Sequence, residues 1–301
     1  MLKKALLVGI NKYRKYPLFG CVNDVIAMKD LLVEIYDFSA DNIRVITDRD
    51  ATTQTVVENL GWLAQGGSEP AVRVFHYAGH GHFVPDKNED EPDGSDEALV
   101  LYDHDKAGYL IDDKLKELYD HFPANGNLTL IMDCCHSGTA QRGPDDIGYR
   151  FIPNTYDERK AIAAARKKFL QGQMQYVREQ LGNLRSKTRG PDEEFERQFM
   201  AAMQKYEKVR FGDHRVREGN ILLAGCKSDQ QAADAKMGRG KNHGAFTYYF
   251  VKLVREAQGK ISHQELMKNL GKQLYDHKFN QEPQLECSEG REKSRLFSLF
   301  S

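Results

Sequence analysis

Val72-Arg73-Val74-Phe75-His76-Tyr77-Ala78-Gly79-His80-Gly81 and Leu128-Thr129-Leu130-Ile131-Met132-Asp133-Cys134-Cys135-His136-Ser137-Gly138 are the stretches on which fold and chemistry turn together. Each begins as a run of apolar residues that reads as a buried strand, and each passes directly into a glycine-containing turn. His80 stands between two glycines, a sterically open position. Cys135 precedes His136-Ser137-Gly138, where small residues permit a sharp turn and close substrate approach. Cysteine hydrolysis needs a thiolate, a proton carrier and donors for an oxyanion. The candidates are Cys135, His80, and the backbone N–H groups of Gly81 and Cys135.

Outward from these two strands the chain alternates. Lys3 to Ile10 is an apolar strand, and Asn23 to Phe38 has helical spacing through Val25, Ile26, Met28, Leu31, Leu32 and Ile35. A short strand at Ile43–Thr47 precedes a helix capped by Thr52 or Thr53 that stops at Gly66-Gly67. Ala98–Tyr102 and Gly108–Ile111 suit a small hairpin, and Asp112 a helix cap. Ile221–Ala224 is the last clear strand, followed by helices at Phe246–Ala257 and Ser262–Leu274. The pattern predicts an α/β three-layer sandwich, a mostly parallel sheet flanked by helices. In such sheets the chemistry lies beyond the carboxyl ends of the strands, where His80 and Cys135 both fall. Residues 1–301 read as one domain interrupted by a helical insertion over 155–210, broken near Arg189-Gly190-Pro191 and too long for an ordinary loop.

Composition excludes several classes. Lys+Arg is 43 against Asp+Glu 44, so no charge excess points to nucleic acid or a membrane surface. No apolar run approaches the ~20 residues of a spanning helix. The first residues are too briefly apolar for a signal peptide and run into Asn11-Lys12-Tyr13-Arg14. The 5 cysteines include the adjacent pair Cys134-Cys135, which suits a reducing cytoplasm better than a disulfide framework. Zinc at Cys134-Cys135-His136 is excluded because adjacent ligands strain a tetrahedral site and no second ligand pair stands at the usual spacing.

Phe75–Gly81 and Ile131–Gly138 resemble the paired catalytic motifs of metacaspases and related prokaryotic caspase-like peptidases. Ala5–Asn11, Gly20–Asp24, Leu223–Cys226, Asp229-Gln230 and Gly244–Thr247 are similar to further motifs of that family. The Gln-Ala-Cys pattern of animal caspases is absent. The resemblance implies a caspase-like fold, Cys135 rather than Cys134 as nucleophile, and His80 as its partner. It also implies that Asp133 and Asp24 bind a basic substrate side chain, with Asp229 a third candidate and Cys21 near the pocket. By itself Asp24 reads as a helix N-cap. Two carboxylates in a partly desolvated pocket favour Arg or Lys and repel Asp.

The function expected is thus a thiol endopeptidase that cuts protein or peptide substrates after Arg, then Lys. The rivals are a catalytically silent caspase-like interaction module and an Asp-specific protease. No cofactor is required by this chemistry. Many metacaspases bind calcium, and the matching ligands here are Asp96, Asp112 and Asp113; a further family aspartate falls at Arg142. The acidic loop Asp86–Glu97 otherwise reads as a solvated charged loop. In caspase-like peptidases the segment after the nucleophile strand carries the maturing cleavage. Here it offers Arg142, Arg166-Lys167-Lys168, Arg185, Lys187, Arg189 and Arg210 to the enzyme itself or to an upstream protease. The alternative is a permanent helical arm.

Overall fold

The computed structural model describes residues 1–66, 70–88, 93–123, 127–134, 147–187, 197, 220–227 and 230–299. In chain order the strands are β1 Leu2–Gly9, β2 Ile43–Thr47, β3 Ala71–Ala78, β4 Gly81–Pro85, β5 Ser95–Leu99, β6 Leu110–Ile111, β7 Asn127–Asp133, β8 Ile147–Tyr149, β9 Asn220–Ala224, β10 Ala233–Met237, β11 Lys241–Gly244 and β12 Gln284–Cys287. The helices are α1 Cys21–Tyr36, α2 Thr53–Ala64, α3 His104–Ala107, α4 Asp112–Asp120, α5 Tyr156–Lys187, α6 Ala245–Glu256 and α7 His263–Asp276. The chain divides into two compact units, the first Met1–Phe83, Glu97–Pro153 and Val216–Ser301, the second Val84–Asp96 and Asn154–Arg215.

The first unit is built on a sheet of order β12-β9-β7-β3-β1-β2. Every pairing in it is parallel except that of β12 with β9. Its centre is buried on both faces: Ala5 to Val8 are inaccessible, and every residue of β3 and β7 is buried. That is why these strands are largely apolar on both faces rather than alternating, with polar exceptions such as Arg73, His76 and Thr129 themselves buried. β1 leads to β2 on one side and β2 crosses back to β3 on the other, so right-handed connections put α1 and α2 on opposite faces. α1 buries Cys21, Asp24, Val25, Met28, Leu31 and Leu32, one face at helical spacing. It ends at Asp37 in the left-handed region (φ 54°), whose N–H closes on the Leu32 carbonyl. Thr52 caps α2, and Ser262 with Glu265 forms a capping box on α7. The strand order reverses between β1 and β3, which opens a crevice at their carboxyl ends.

Three expectations need correction. Ile221–Ala224 is not the last strand: β10 and β11 form a second small sheet with β8, and β12 closes the edge of the large one. The sequences Ala-Asp-Ala-Lys-Met and Lys-Asn-His-Gly carry little strand propensity, so pairing rather than composition makes them strands. Asp112 does not cap α4 but is its first residue, its Oδ1 accepting from the Asp113 N–H at 3.0 Å. Asp24 is not an N-cap either, because α1 begins at Cys21 and carries Asp24 inward on its first turn. In the second unit α5 is a single helix over Tyr156–Lys187. The break at Arg189-Gly190-Pro191 lies outside the described residues.

Candidate active site

β3 ends at Ala78, and the next two residues turn sharply. A Cβ on Gly79 would lie 2.5 Å from the Tyr77 hydroxyl and 2.6 Å from that of Tyr13, so only glycine passes. The two tyrosines hold the following histidine by its backbone: the His80 N–H donates to the Tyr13 hydroxyl at 3.0 Å, and the Tyr77 hydroxyl donates to the His80 carbonyl at 2.8 Å. The imidazole is fully buried. Its Nε2 lies 2.6 Å from the Tyr16 carbonyl, which can only accept, so Nε2 carries the proton. Tyr16 presents that carbonyl from a left-handed backbone (φ 58°), an uncommon conformation for a tyrosine. Nδ1 is then the unprotonated nitrogen, and among the described residues no donor meets it. Burial lowers the His80 pKa to about 4, with the Tyr16 carbonyl opposing and the Arg150 charge adding. The ring is neutral at pH 7, ready to accept a proton from a thiol.

Asp24 from α1 and Asp133 from the end of β7 meet in a fully buried cluster. Asp234, on β10, joins them. In their midst lies the guanidinium of Arg150. It is paired through Nη2 with Asp24, at 3.0 Å through Nη1 with Asp133, and at 3.8 Å through Nη2 with Asp234. Each carboxylate is anchored separately. Asp24 accepts from the Gly244 N–H and lies against His243 Nδ1, both at 2.9 Å. Asp133 accepts from the Thr247 hydroxyl at 2.6 Å and its N–H at 3.1 Å. Asp234 accepts from the N–H groups of Gly20 at 2.9 Å and Phe19 at 3.2 Å. Gly244 has no room for a side chain, since its Cβ would lie 2.6 Å from the Arg150 Cζ.

The electrostatics follow from burial of three acids around one base. Burial opposes ionisation of Asp24, but Arg150 and His243 outweigh it and hold the carboxyl below its usual range. Burial raises Asp133 to about 6; Asp24 adds to this, and Arg150 and Thr247 offset only part. Desolvation works against the Arg150 cation, yet the surrounding carboxylates hold it firmly charged. Cys21 is buried beneath the cluster, its thiol pushed up first by burial, so it stays protonated.

Cys135, with His136-Ser137-Gly138, Arg142 and Asp229, lies outside the described residues. The Gly81 N–H donates at 2.9 Å to the Arg150 carbonyl. Of the calcium candidates, Asp112 and Asp113 adjoin at the start of α4 in the first unit, whereas Asp96 belongs to the second. Among the described residues no group of three or more His, Cys, Asp or Glu side chains is gathered as metal ligands. Three site features escape sequence reasoning. Asp234 carried one signal, a carboxylate inside an otherwise small apolar run. Arg150 carried none, and the Tyr16 contribution is a backbone carbonyl with no residue-type signature.

Acid should destabilise the fold. His76, His80 and His263 are all buried, and each is lowered by that burial to about 4. An unfolded histidine titrates near 6.5. Between these values the unfolded chain binds more protons, so stability falls as pH drops from about 6.5 towards 4. Asp133 runs the other way: raised to about 6, it takes its proton in the folded chain first and returns some stability over the same interval. Three groups outweigh one. Urea unfolding at pH 5 should show a stability lower than at pH 7.5 by on the order of 4 kcal/mol; an unchanged midpoint would contradict neutral buried imidazoles.

The fold is of the caspase-like class, and comparison with known proteins supplies the family. Residues 3–144 match the family described as metacaspase, peptidase C14 domain. The chain is 30% identical to metacaspase-1 of Scheffersomyces stipitis over 99% of its own length and 73% of that protein. It is 30% identical to metacaspase-9 of Arabidopsis thaliana over 96% of its length and 95% of the relative. The crystal structure of caspase-1 from Spodoptera frugiperda superposes with a TM-score of 0.52 at 9% identity, covering 95% of this chain and 88% of that one, a likeness of fold. The chain belongs to the metacaspase family and is a cysteine-type peptidase, a hydrolase acting on proteins. No helix among the described residues is long and apolar enough to cross a membrane.

Proposed function

We propose that this peptidase cuts after Arg, and more slowly after Lys, through a dyad of Cys135 and His80. The observation that carries the reading is the seating of a guanidinium between Asp24 and Asp133. An aspartate in that position would add a fourth carboxylate to three, which disfavours the Asp-specific alternative. Cys21 lines the buried side of the same pocket, and the family resemblance adds Asp229 as a further candidate. Cys135 lies two positions beyond Asp133 in the chain. His80 Nδ1 takes the thiol proton, and the thiolate attacks. The N–H groups of Gly81 and Cys135 hold the oxyanion. The amine leaves with the proton from His80, and water then hydrolyses the thioester.

The intact chain is a weak protease matured by a cut in the segment that follows β7, made by itself or by an upstream protease, and the fragments stay together through the shared sheet. The helical insertion over 155–210 within a single 1–301 peptidase domain is the arm that this cut releases. Its partners are proteins or peptides with exposed Arg or Lys in the cytoplasm, without nucleic acid or membrane, and no cofactor is needed. Incubation with Arg, Lys and Asp reporter peptides, with calcium and with a chelator, tests this. Arg should be cut fastest, Lys more slowly and Asp not measurably, at equal rates in both buffers. Preference for Asp would refute the pocket, and loss of activity in chelator would support a metal role for Asp96, Asp112 and Asp113.

A further inference from the structure

We propose that Ile147-Gly148-Tyr149-Arg150 is bound in the enzyme's own substrate groove, and that Arg150–Phe151 is the first peptide bond it cuts. The inference rests on the reading of Asp24 and Asp133 as the pocket for a basic side chain, and it assigns the processing site.

Three independent contacts place this segment as a substrate would lie. The first is the side chain: the Arg150 guanidinium is held by Asp24, Asp133 and Asp234, and by the Asp133 carbonyl at 3.0 Å from Nη1. The second is the backbone before it. β8 adds to β10 as an antiparallel strand, with Ile147 opposite Ala235, Gly148 opposite Asp234 and Tyr149 opposite Ala233. The Arg150 N–H continues the ladder to the Ala232 carbonyl at 3.1 Å. This is strand addition to a sheet edge, the general way an extended peptide is held by main-chain bonds while one side chain fills a pocket. The third is the carbonyl: the Arg150 oxygen accepts from Gly81 N–H at 2.9 Å, the donor assigned above to the oxyanion. Beyond the bond the chain stays engaged, Ile152 N–H donating to the Gly81 carbonyl at 3.1 Å.

An arginine needed only to neutralise buried acids would require the first contact and neither of the others. A buried ion cluster is also a poor source of stability, since desolvating the charges cancels much of their attraction. The basic residues Arg166, Lys167 and Lys168, read from the sequence as candidate cuts, lie on α5 in the second unit. While Arg150 fills the pocket, an external peptide must displace both the guanidinium and the β8 strand, so the uncut chain is held in check by its own substrate.

The step balances with one water. The Cys135 Sγ gives its proton to His80 and bonds to the Arg150 carbonyl carbon. The C–N bond to Phe151 breaks, and His80 passes the proton to the Phe151 nitrogen. Water adds to the thioester, the thiol is regenerated, and the products are an Arg150 carboxylate and a Phe151 amine.

The test follows the intact purified chain by mass spectrometry and N-terminal sequencing, in parallel with hydrolysis of an Arg reporter. In wild type the first new N-terminus should be Phe151, and reporter hydrolysis should rise as it appears. Cys135→Ala and Arg150→Gln should not produce it. Because Arg150→Gln leaves three acids unneutralised, Arg150→Lys, which keeps the charge without the planar fork, is the folded control and should give the same fragment more slowly. A first N-terminus elsewhere, with Arg150–Phe151 intact in a preparation that cuts the Arg reporter, would overturn this assignment and leave the proposed specificity standing. Absence of both reporter hydrolysis and self-cutting would overturn the specificity and the assignment with it.

Discussion

Cys135→Ala is expected to abolish peptide hydrolysis, and Cys134→Ala to leave most of it. Cys134 is buried at the end of β7 (2% exposed), with the Cys226 Sγ 3.6 Å from its carbonyl. A buried free cysteine commonly behaves as a small apolar side chain. Cys135 is the residue whose neighbours His136, Ser137 and Gly138 allow approach. His80→Ala should cost on the order of 10²–10⁴ in kcat, the usual worth of a positioned proton carrier. Removal of the thiol should cost everything that passes through the thioester. Equal activity of wild type and Cys135→Ala would sink the assignment.

Asp133→Ala should lower kcat/KM for an Arg reporter by about 2–5 kcal/mol, the range for removing one partner of a buried, hydrogen-bonded charge pair, or about 30- to 5,000-fold. Its carboxylate is 3.0 Å from the guanidinium and pre-aimed by two bonds from Thr247, so no side-chain reorganisation is needed when a substrate enters. Asp24→Ala should fall in the same range. Asp234→Ala should cost less, because 3.8 Å is beyond hydrogen-bond reach. The fold should survive these changes. Three buried acids facing one Arg repel each other, and deleting one removes repulsion as well as attraction. A thermal melt distinguishes the cases: lost activity with an unchanged transition locates the effect in the pocket. An Asp133→Ala enzyme with undiminished Arg hydrolysis would refute the pocket reading.

The mostly parallel sheet was legible from Val72–Tyr77 and Leu128–Met132 because strands buried on both faces are predominantly apolar. The ends of those strands then marked where His80 lies, since the carboxyl edge of such a sheet opens to the substrate. β10, β11 and β12 were not legible, because their residues take strand geometry only from their neighbours.

The sequence by itself determined the local matters: which runs are buried strands, where glycine is required, and that a thiol, an imidazole and acids of the right type were present. Gly79 stands between the two cases, for its requirement is set partly by Tyr77, two residues away, and partly by Tyr13, which only the fold brings near. Tertiary structure alone decided which groups meet. Asp24, Asp133, Arg150 and Asp234 lie on separate elements and are joined only because α1 and the ends of β7, β8 and β10 converge. The state of the His80 ring was likewise decided there, by burial and by a backbone carbonyl that every residue type carries. Charge pairing and desolvation act through space, and no spacing along the chain encodes them.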